Sequence, residues 1–512
     1  MYIKNANVII ISDFITLHTW SRTAGPYRIA TELRKHGFTC QVIDCFTEFT
    51  TKQQYDILTE VVGPDTLFVG LSSTFFALLG NDQPHRRHYD KSPYQRDNPA
   101  KNFASATDNY PYFPNKMGGY FDYIKYINPN TKIVLAGAKA DCQNAPYADV
   151  IMTGFADKAV VDFARWCQNK NPFFQYVINE HEQMVVDGSA LNTSFDFANS
   201  TIDYLPCDNI RKHETLVLEV ARGCIFSCKF CSSSLYGKKK NDHIKNLSVL
   251  KNELLRNYEE HGITNYFYSD DTHNDSTEKL HNLANIVQSL PFKLQYCAYI
   301  RIDLLRAHPE QYQLLKDGGL KGAFFGIETF NHESAKIIGK GLHPDKVIEE
   351  LHIFKDKFPD VGTEAGFIVG LPKETKDSVT RWSRMLLDES FPLDMPNVFP
   401  LNINTNPNKT YKSGFEKDAG KWYKMKPDGL WHNGSFDEGW ALQYCSDFYS
   451  EMEKKDRRRV GGWSTLTLQN MGLPDLTKKP MVGLGIDWVK IKTEARQRYV
   501  RNFLYNGELR NT

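Results

Sequence analysis

Three cysteines lie within eight residues of one another near the middle of the chain. Cys224, Cys228 and Cys231 have the spacing C-x3-C-x2-C and come directly after Glu214–Ala221, an apolar run that predicts a strand. Three thiolates at this spacing can bind an iron–sulfur cluster and leave its fourth iron without a protein ligand. The alternative is a zinc site completed by a distant His or Cys, although structural zinc usually has paired C-x2–4-C ligands. The other seven cysteines are solitary, and we expect them to be small buried apolar residues.

The cysteines are preceded by a region in which short apolar runs alternate with amphipathic stretches. Between residues 6 and 167 this alternation is typical of βαβ units, and it predicts an α/β, doubly wound (Rossmann-like) domain around a parallel sheet. One unit is clear, because Ala24–Gly37 has one apolar helical face and ends at a glycine. The ligand crevice of such a domain lies at the carboxyl ends of its strands. The predicted strands are Val8–Ser12, Thr39–Cys45, Thr66–Ser72, Lys132–Ala136 and Asp149–Thr153.

A second series of strands and helices runs from residue 214 to about residue 388 and predicts another β/α array. The chain is therefore predicted to divide into residues 1–190, 191–390 and 391–512, the last of uncertain fold. Residues 80–119 show no periodicity, and we expect an insertion that forms a lid or contacts substrate near the first crevice. Besides Glu214–Ala221, the predicted strands of the second array are Tyr266–Tyr268, Leu294–Tyr299, Gly322–Ile327 and Glu364–Val369.

The overall charge is almost balanced, with 62 Lys and Arg against 61 Asp and Glu in 512 residues. No global field would therefore attract nucleic acid or an anionic membrane. The first apolar stretch, Val8–Ile11, is too short for a signal sequence or a membrane span. These features predict a cytoplasmic protein that binds neither nucleic acid nor membrane. The basic run Lys454–Val460 is expected to be a solvated helix face, with RNA modification as the alternative.

The cysteine segment resembles the radical SAM superfamily, whose members share the pattern C-x3-C-x-aromatic-C. Cys224, Cys228, Phe230 and Cys231 match it, and further similar segments follow as far as residue 390. The resemblance implies a partial β/α barrel that carries a [4Fe–4S] cluster on the three cysteines and S-adenosylmethionine (SAM) on the fourth iron. It also implies an external electron donor of the flavodoxin or ferredoxin type. Reductive cleavage of SAM would then give an adenosyl radical that abstracts hydrogen from a substrate.

Charged residues near the predicted strand ends resemble the SAM-binding segments of this family. Asp270 or Asp271 would accept the SAM ammonium group, with helix capping as the alternative role. Glu328, in Gly326-Ile-Glu-Thr, would approach the ribose hydroxyls. Arg301 would neutralise the SAM carboxylate through two hydrogen bonds, with a surface ion pair as the alternative.

The segment Gly366–Thr375 resembles the late strand and turn that lie against adenine in this family. Gly366 and Gly370 would allow the base to approach closely, because they have no side chain. Ile368 and Phe230 would add apolar contacts to the base.

A doubly wound domain directly before such a core resembles the cobalamin-binding class of the superfamily. Arg28–Gly37, Val69–Ser73 and Pro129–Gly137 are similar to successive units of that class. The pattern D-x-H-x-x-G, which gives cobalt a histidine ligand in some members, is absent, since His18 follows Asp13 by five positions instead of two. Cobalamin would then bind without this histidine, and a scaffold without cobalamin is the alternative. The implied cobalamin contacts are Ser72, Ser73 and Gly137.

Together the two resemblances imply cobalamin-dependent methylation of carbon or phosphorus in an unidentified small molecule or peptide. The first alternative is a cobalamin-independent cyclisation, rearrangement or oxidation. An alternative of another class is a zinc-stabilised ligand-binding protein without catalysis. Residues 391–512 are expected to close the barrel and shape substrate choice, so that deleting them would spare SAM cleavage and abolish substrate turnover.

Overall fold

The fold is that of a computed structural model, which describes most of the chain as far as residue 455. Ser73, Asp13 and His18 lie outside the described residues, as do residues 80–117 of the predicted insertion and residues 456–512. The described residues are 2–12, 22–44, 46, 49, 51–72, 118–137, 140, 148–170, 173–210, 214–232, 243–403, 412–426 and 430–455.

Seven strands form the first sheet, in the order β2-β1-β3-β4-β5-β7-β6. All neighbours are parallel except the outer pair β6 and β7, which is antiparallel. The α/β fold with a doubly wound sheet is thus confirmed, and the structure adds β6 and β7 to the five predicted strands. The strands are β1 (Val8–Ile11), β2 (Cys40–Ile43), β3 (Phe68–Ser72), β4 (Lys132–Gly137), β5 (Val150–Thr153), β6 (Val177–Ile178) and β7 (Met184–Asp187).

Helices cover both faces of this sheet, which is why its inner strands are continuous apolar runs. Every residue of β1, β2 and β5 is buried, as expected for parallel strands covered on two sides. The helix α1 buries Tyr27, Ala30 and Leu33 on one face and is followed by Gly37 at a φ of 85°. The helices of this part are α1 (Ala24–Lys35), α2 (Thr51–Val61), α3 (Gly118–Ile127), α4 (Asp157–Cys167) and the short α5 (Gly188–Leu191).

The second sheet has six parallel strands in sequential order, from β8 at one edge to β13 at the other. Its strands are β8 (Thr215–Leu218), β9 (Asn265–Tyr268), β10 (Gln295–Ile300), β11 (Leu320–Glu328), β12 (Gly362–Val369) and β13 (Met395–Pro400). Sequential parallel strands with helical crossovers curve into part of a barrel. The sheet continues past residue 390, where the sequence analysis began the C-terminal region. The helices are α6 (Leu247–His261), α7 (Thr277–Gln288), α8 (Ile302–Ala307), α9 (Gln311–Asp317), α10 (His332–Ile338), α11 (Pro344–Lys357) and α12 (Lys376–Leu386).

The described part of the C-terminal region packs on the second sheet. It contains α13 (Gly414–Lys417), α14 (Ala419–Trp422), the hairpin β14 (Lys424–Met425) and β15 (Trp431–His432), and α15 (Glu438–Lys454). The hydroxyl of Tyr449 in α15 accepts a hydrogen bond from the backbone N–H of Val398 in β13 at 3.0 Å. Trp431 is fully buried and donates its indole N–H to the carbonyl of Leu401 at 2.8 Å.

Buried ion pairs join the helices of the first sheet to the connector and to the start of the second sheet. Arg28 of α1 lies 2.9 Å from the carboxylate of Glu219, just after β8. Arg34 of the same helix donates to both carboxylate oxygens of Asp208 at 2.8 Å. Such bidentate buried pairs fix relative orientation more than they add stability. Among the helices that the structure describes, none combines the length and apolar character needed to cross a membrane.

Candidate active site at the carboxyl edge of the second sheet

The three clustered cysteines lie on a loop after β8, at the carboxyl edge of the second sheet. Gly223 turns the chain into this loop with a φ of 75°. Cys224, Cys228 and Cys231 are all half-buried, and none of them is in a disulfide with another described cysteine. Of the other described cysteines, four are fully buried and Cys167 is half-buried with a pKa that burial raises to about 12. The loop is therefore where the described thiols are both grouped and accessible.

The donor set fits an iron–sulfur cluster, because three thiolate sulfurs on one short loop are what such clusters bind. Each of two sulfurs faces a polar neighbour: Cys224 Sγ lies 3.3 Å from Thr272 Oγ1, and Cys228 Sγ lies 3.7 Å from Arg301 Nη1. Within the described ranges, no three His, Cys, Asp or Glu side chains already converge on a single point as metal ligands do. The loop therefore matches a cluster site in the type of its residues and in their position after β8, whereas the three thiols do not yet converge on one point.

The cysteine loop is held from two sides through the backbone of Lys229. Its N–H donates to the carbonyl of Ile338 at 3.2 Å, and its carbonyl accepts from the N–H of Phe415 at 2.9 Å. Its ammonium group lies 4.8 Å from the ring centre of Trp422. Two of these partners belong to the C-terminal region. These contacts argue against the expectation that deleting residues 391–512 would spare SAM cleavage, because the deletion would remove Phe415 and Trp422 from the cysteine loop.

Asp270 is a structural anchor in this arrangement. One of its carboxylate oxygens accepts hydrogen bonds from the backbone N–H groups of Val220 and Ala221, and the other accepts from Lys279 at 3.3 Å. Burial alone would raise its pKa, but Lys279 and other partners bring that pKa down to about 2. Both oxygens are thus engaged in fixing the backbone that leads into the cysteine loop.

Asp271, the next residue, is exposed. The alternative of helix capping is wrong for both residues, because Ser276 caps α7 by accepting from the N–H of Lys279. Thr272, which the sequence analysis missed, follows at the same strand end and contacts Cys224.

Arg301, after β10, is held in place on three sides. Its Nε and Nη2 donate to the two carboxylate oxygens of Asp303 at 3.0 and 2.6 Å. Its guanidinium carbon lies 3.9 Å from the ring centre of Phe226 in the cysteine loop, and its Nη1 points to Cys228 Sγ. The residue is only 6% exposed, so the alternative of a surface ion pair is wrong. The edge that would grip a carboxylate with two hydrogen bonds is already occupied by Asp303.

Glu328 ends β11 in a strained conformation that turns its side chain into the site. Its φ is 72°, which is uncommon for a residue with a side chain, and the pairing of β11 with β12 shifts between Gly326 and Glu328. The side chain is buried and its Oε1 lies 3.7 Å from Lys340 Nζ. Burial raises the pKa of Glu328, while Lys340 and Arg301 act in the opposite direction. Such strain concentrates at ligand sites.

The glycines of the following segment have different surroundings. A side chain at Gly366 would meet the ring of Phe324 at 3.4 Å and a carboxylate oxygen of Glu328 at 3.9 Å, so this glycine faces the same site as Glu328. Gly370 has a φ of 115°, and a side-chain carbon there would lie 2.2 Å from the indole of Trp431. The close approach that Gly370 permits is therefore to Trp431. Ile368 and Phe230 are both half-buried against the apolar core, at the edge of the site.

The turn after Gly370 is organised by a buried carboxyl group, that of Glu374. Its Oε2 accepts from the backbone N–H groups of Gly370 and Leu371 at 3.0 and 3.1 Å, and its Oε1 accepts from Thr329 Oγ1 at 2.7 Å. Burial raises the pKa of Glu374 to about 7. This side chain links the end of β12 to Thr329, the residue that follows Glu328 at the end of β11.

The crevice of the first sheet lies where the strand order reverses, between β1 and β3. Ser72 is half-buried at the carboxyl end of β3, and Gly137, with a φ of 119°, ends β4 beside it. Ser73 and His18 lie outside the described residues. The structure thus brings Ser72 and Gly137 to one edge of the sheet, and their contact with cobalamin stays a prediction.

The loops at the carboxyl edges of the two sheets are in direct contact through Arg222, two residues before the first cysteine. Its guanidinium carbon lies 4.7 Å from the ring centre of Phe155, in the loop after β5, and 4.7 Å from that of Phe197. Its nitrogens bind both carboxylate oxygens of Asp157 at 2.7 and 3.0 Å and also pair with Glu219. The start of the cysteine loop therefore lies against the loop after β5, at the carboxyl edge of the first sheet.

Comparison with known proteins gives the class. Residues 218–386 match the family model of the Radical SAM superfamily, so this part of the chain is a radical SAM domain. Members of that superfamily use a [4Fe–4S] cluster and SAM and need an external reductant. The radical SAM superfamily is thus the class that the fold and the cysteine loop define.

Two solved structures have a similar fold. The chain is similar to TsrM from Kitasatospora setae, a radical SAM methyltransferase solved with tryptophan and a SAM analogue. The TM-score is 0.62 and the identity 13%, and the match covers 97% of this chain and 99% of that one. OxsB, a cobalamin-dependent SAM radical enzyme solved with aqua-cobalamin and SAM, superposes with a TM-score of 0.53 and 12% identity over 98% and 81% of the two chains. The chain therefore shares its fold with these two enzymes.

Two curated relatives match shorter regions. An uncharacterized methyltransferase of Pyrococcus horikoshii is 29% identical over 185 residues, which is 35% of this chain and 38% of that protein. The anaerobic magnesium-protoporphyrin IX monomethyl ester cyclase of Cereibacter sphaeroides is 23% identical over 282 residues, 51% of this chain and 45% of that protein. The chain spans less than half the length of each curated relative it matches.

Proposed function

We propose that this protein is a cobalamin-dependent radical SAM methyltransferase that acts on a small molecule or peptide. The radical SAM domain, the methyltransferase relative and the fold shared with TsrM and OxsB support this assignment. When bound, the cluster and SAM would supply reductive cleavage of a carbon–sulfur bond, and cobalamin would supply a transferable methyl group.

The residues of the second sheet would bind the first two cofactors. Cys224, Cys228 and Cys231 would hold the cluster. Asp271 would accept a hydrogen bond from the SAM ammonium group. Glu328 would accept hydrogen bonds from the ribose hydroxyls, since its strained backbone turns its carboxylate into the site. Gly366, Ile368 and Phe230 would border the adenine.

The first sheet would bind cobalamin at its carboxyl edge. Ser72, Ser73 and Gly137 would line this crevice, and the chain lacks the D-x-H-x-x-G pattern that would give cobalt a histidine ligand. A flat cofactor bound there would rest on backbone and small side chains, which allow a large ring to approach closely.

The observation that carries the proposal is the contact of Arg222 with Phe155 and Asp157. It places the loop that precedes the cysteines directly against a carboxyl-edge loop of the doubly wound sheet. A reaction that uses two cofactors on one substrate requires both to reach the same small volume, and this contact provides that proximity.

We propose further that the enzyme works in the cytoplasm with a flavodoxin- or ferredoxin-type reductant. The balanced charge of 62 basic and 61 acidic residues favours a small substrate over nucleic acid.

The test is reconstitution of the anaerobically purified protein with iron, sulfide and hydroxocobalamin, followed by absorption spectroscopy and a search for methyl transfer from isotopically labelled SAM. We expect the absorption bands of both cofactors and labelled methyl in a product. The triple variant C224A/C228A/C231A should lose the cluster, whereas C167A, which changes a cysteine outside the loop, should keep it. A wild-type protein that binds zinc and no cluster would contradict the proposal and support the zinc alternative.

A second candidate is cyclisation without net methyl transfer. It is favoured by the longer alignment with the magnesium-protoporphyrin cyclase, 282 residues against 185 for the methyltransferase. The two functions differ in product mass, because methylation adds one carbon from SAM and cyclisation adds none. Product analysis by mass spectrometry with labelled SAM therefore separates them.

A further inference from the structure

Arg301 is the buried cation that directly contacts a cluster-binding cysteine in this structure. Its Nη1 lies 3.7 Å from Cys228 Sγ, within the range of a hydrogen bond to sulfur. Bidentate pairing with Asp303 uses its other edge, and Phe226 stacks on its plane at 3.9 Å. Nη1 is the guanidinium nitrogen that Asp303 does not engage, and it is the one that lies against the sulfur.

This arrangement differs from the one expected for a SAM carboxylate ligand. A guanidinium grips a carboxylate best through two parallel N–H groups on one edge. In this protein Asp303 occupies such an edge, at distances of 3.0 and 2.6 Å. Asp303 is on the same short helix that begins after Arg301, so the pair is held locally.

We propose that Arg301 is a positioning residue that raises the reduction potential of the cluster by donating an N–H···S hydrogen bond to Cys228. The inference rests on the proposed function only in that it requires the cluster. The step it influences is the transfer of one electron from the external donor to the cluster, in which no bond forms or breaks.

The physical reason is that reduction adds negative charge to the cluster and its sulfurs. A hydrogen bond to a ligand sulfur and a nearby positive charge both stabilise the more negative, reduced state. Both effects are strengthened in a site of low dielectric constant, and Arg301 is buried. Asp303 and Phe226 hold the guanidinium in place before the electron arrives, so that little reorganisation is needed.

The experiment measures the midpoint potential of the cluster by EPR-monitored redox titration, without SAM, in the reconstituted full chain. R301M should give a more negative midpoint than the wild type, and R301K should be displaced in the same direction by less. R306M is the matched control, because it removes the same charge from a helix residue that pairs with Glu350 away from the cysteine loop. Equal midpoints for R301M and R306M would overturn the proposal.

A second measurement needs no variant and remains decisive if R301M cannot hold a cluster. Pulsed EPR of the reduced wild-type cluster, without SAM, should show a nitrogen coupling that changes when the arginine guanidinium groups carry ¹⁵N. A spectrum unaffected by this label would overturn the proposal. If the wild-type protein takes up no cluster, it is the proposed function that fails, since neither measurement can then begin.

Discussion

Arg222 binds both carboxylate oxygens of Asp157, at 2.7 and 3.0 Å, across the boundary between the two parallel sheets. Both side chains are buried, and Arg222 lies two residues before Cys224. The start of the cysteine loop is thus fixed by the amino end of a helix in the other sheet's layer. This pair couples the position of one candidate cofactor to that of the other.

Replacing Arg222 by Met should destabilise the protein and impair any reaction that uses both cofactors. The variant leaves Asp157 and Glu219 buried with fewer cationic partners, which typically costs about 3–5 kcal/mol. Thermal unfolding and cluster content would be measured together. R165M is the control, because Arg165 is a more exposed residue of α4 whose 3.9 Å pair with Asp162 contributes little. Equal melting temperatures for the two variants would contradict the role of Arg222.

The stability of the turn after β12 should depend on pH through Glu374. The pKa of Glu374 is raised from 4.5 to about 7, so its neutral form stabilises the fold. That contribution is fully present below about pH 4.5 and is lost as the pH rises through 7. E374Q keeps a neutral side chain of similar shape, so its free energy of unfolding should lack this decline. Denaturant titrations at several pH values would test it, and parallel profiles for the two proteins would refute it.

Adding a methyl group at Gly370 should be costly. In G370A the new carbon would lie 2.2 Å from the Trp431 ring, and a φ of 115° is unfavourable for alanine. We expect a loss of about 2–4 kcal/mol, the sum of overpacking and backbone strain. G25A is the matched control. Gly25 is in helix α1, and a side chain added there would meet no atom within 4 Å. The two variants would be compared by chemical denaturation, and similar midpoints would contradict the expectation.

Variants of Asp270 and Asp271 should differ in effect, because we expect Asp270 to have a structural role and Asp271 to bind a ligand. D270N removes the charged partner that Lys279 has at 3.3 Å and leaves Asp275 as its remaining carboxylate, so the variant should lose about 1.5–3 kcal/mol of stability at neutral pH. Because the pKa of Asp270 is lowered to about 2, its stabilising effect is present above the usual carboxyl range and is lost only as the pH falls toward 2.

D271N, by contrast, should change stability by less than about 0.5 kcal/mol, since Asp271 is exposed. It should weaken SAM binding by about 1.5–3 kcal/mol, the typical contribution of a hydrogen bond to a charged group. Equilibrium dialysis with the cluster-loaded protein measures this affinity. If D271N bound SAM as the wild type does, the ammonium-binding role would have to be given up.

The fold was predictable where burial leaves a periodic pattern. All five predicted strands of the first sheet are present, because central parallel strands are apolar on both faces. β13 was missed because it contains Pro396 and Pro400, which argue against a strand. It is an edge strand that pairs only with β12, and proline is tolerated at such an edge. β6 was missed because it has two residues, both exposed.

The site was predictable only in part, for a similar reason. The three cysteines lie within eight residues of one another, so the sequence shows their spacing directly. Phe226 contacts Arg301, and Lys340 contacts Glu328, through the fold rather than through local spacing, so the sequence did not reveal these two residues. The Arg-Ile-Asp sequence after β10 was the one local indication, because a guanidinium and a carboxylate two residues apart at a helix start can pair.

The indole of Trp431 fills the space that Gly370 leaves by having no side chain. This contact constrains any chimera in which the C-terminal segment is exchanged with that of a relative to alter substrate preference. A transplanted segment without an aromatic residue at the position of Trp431 would leave a cavity next to Gly370, in the turn after β12. A segment whose backbone lay closer to that turn would clash with it. Chimeras should therefore be cut so that the glycine and its tryptophan come from the same parent.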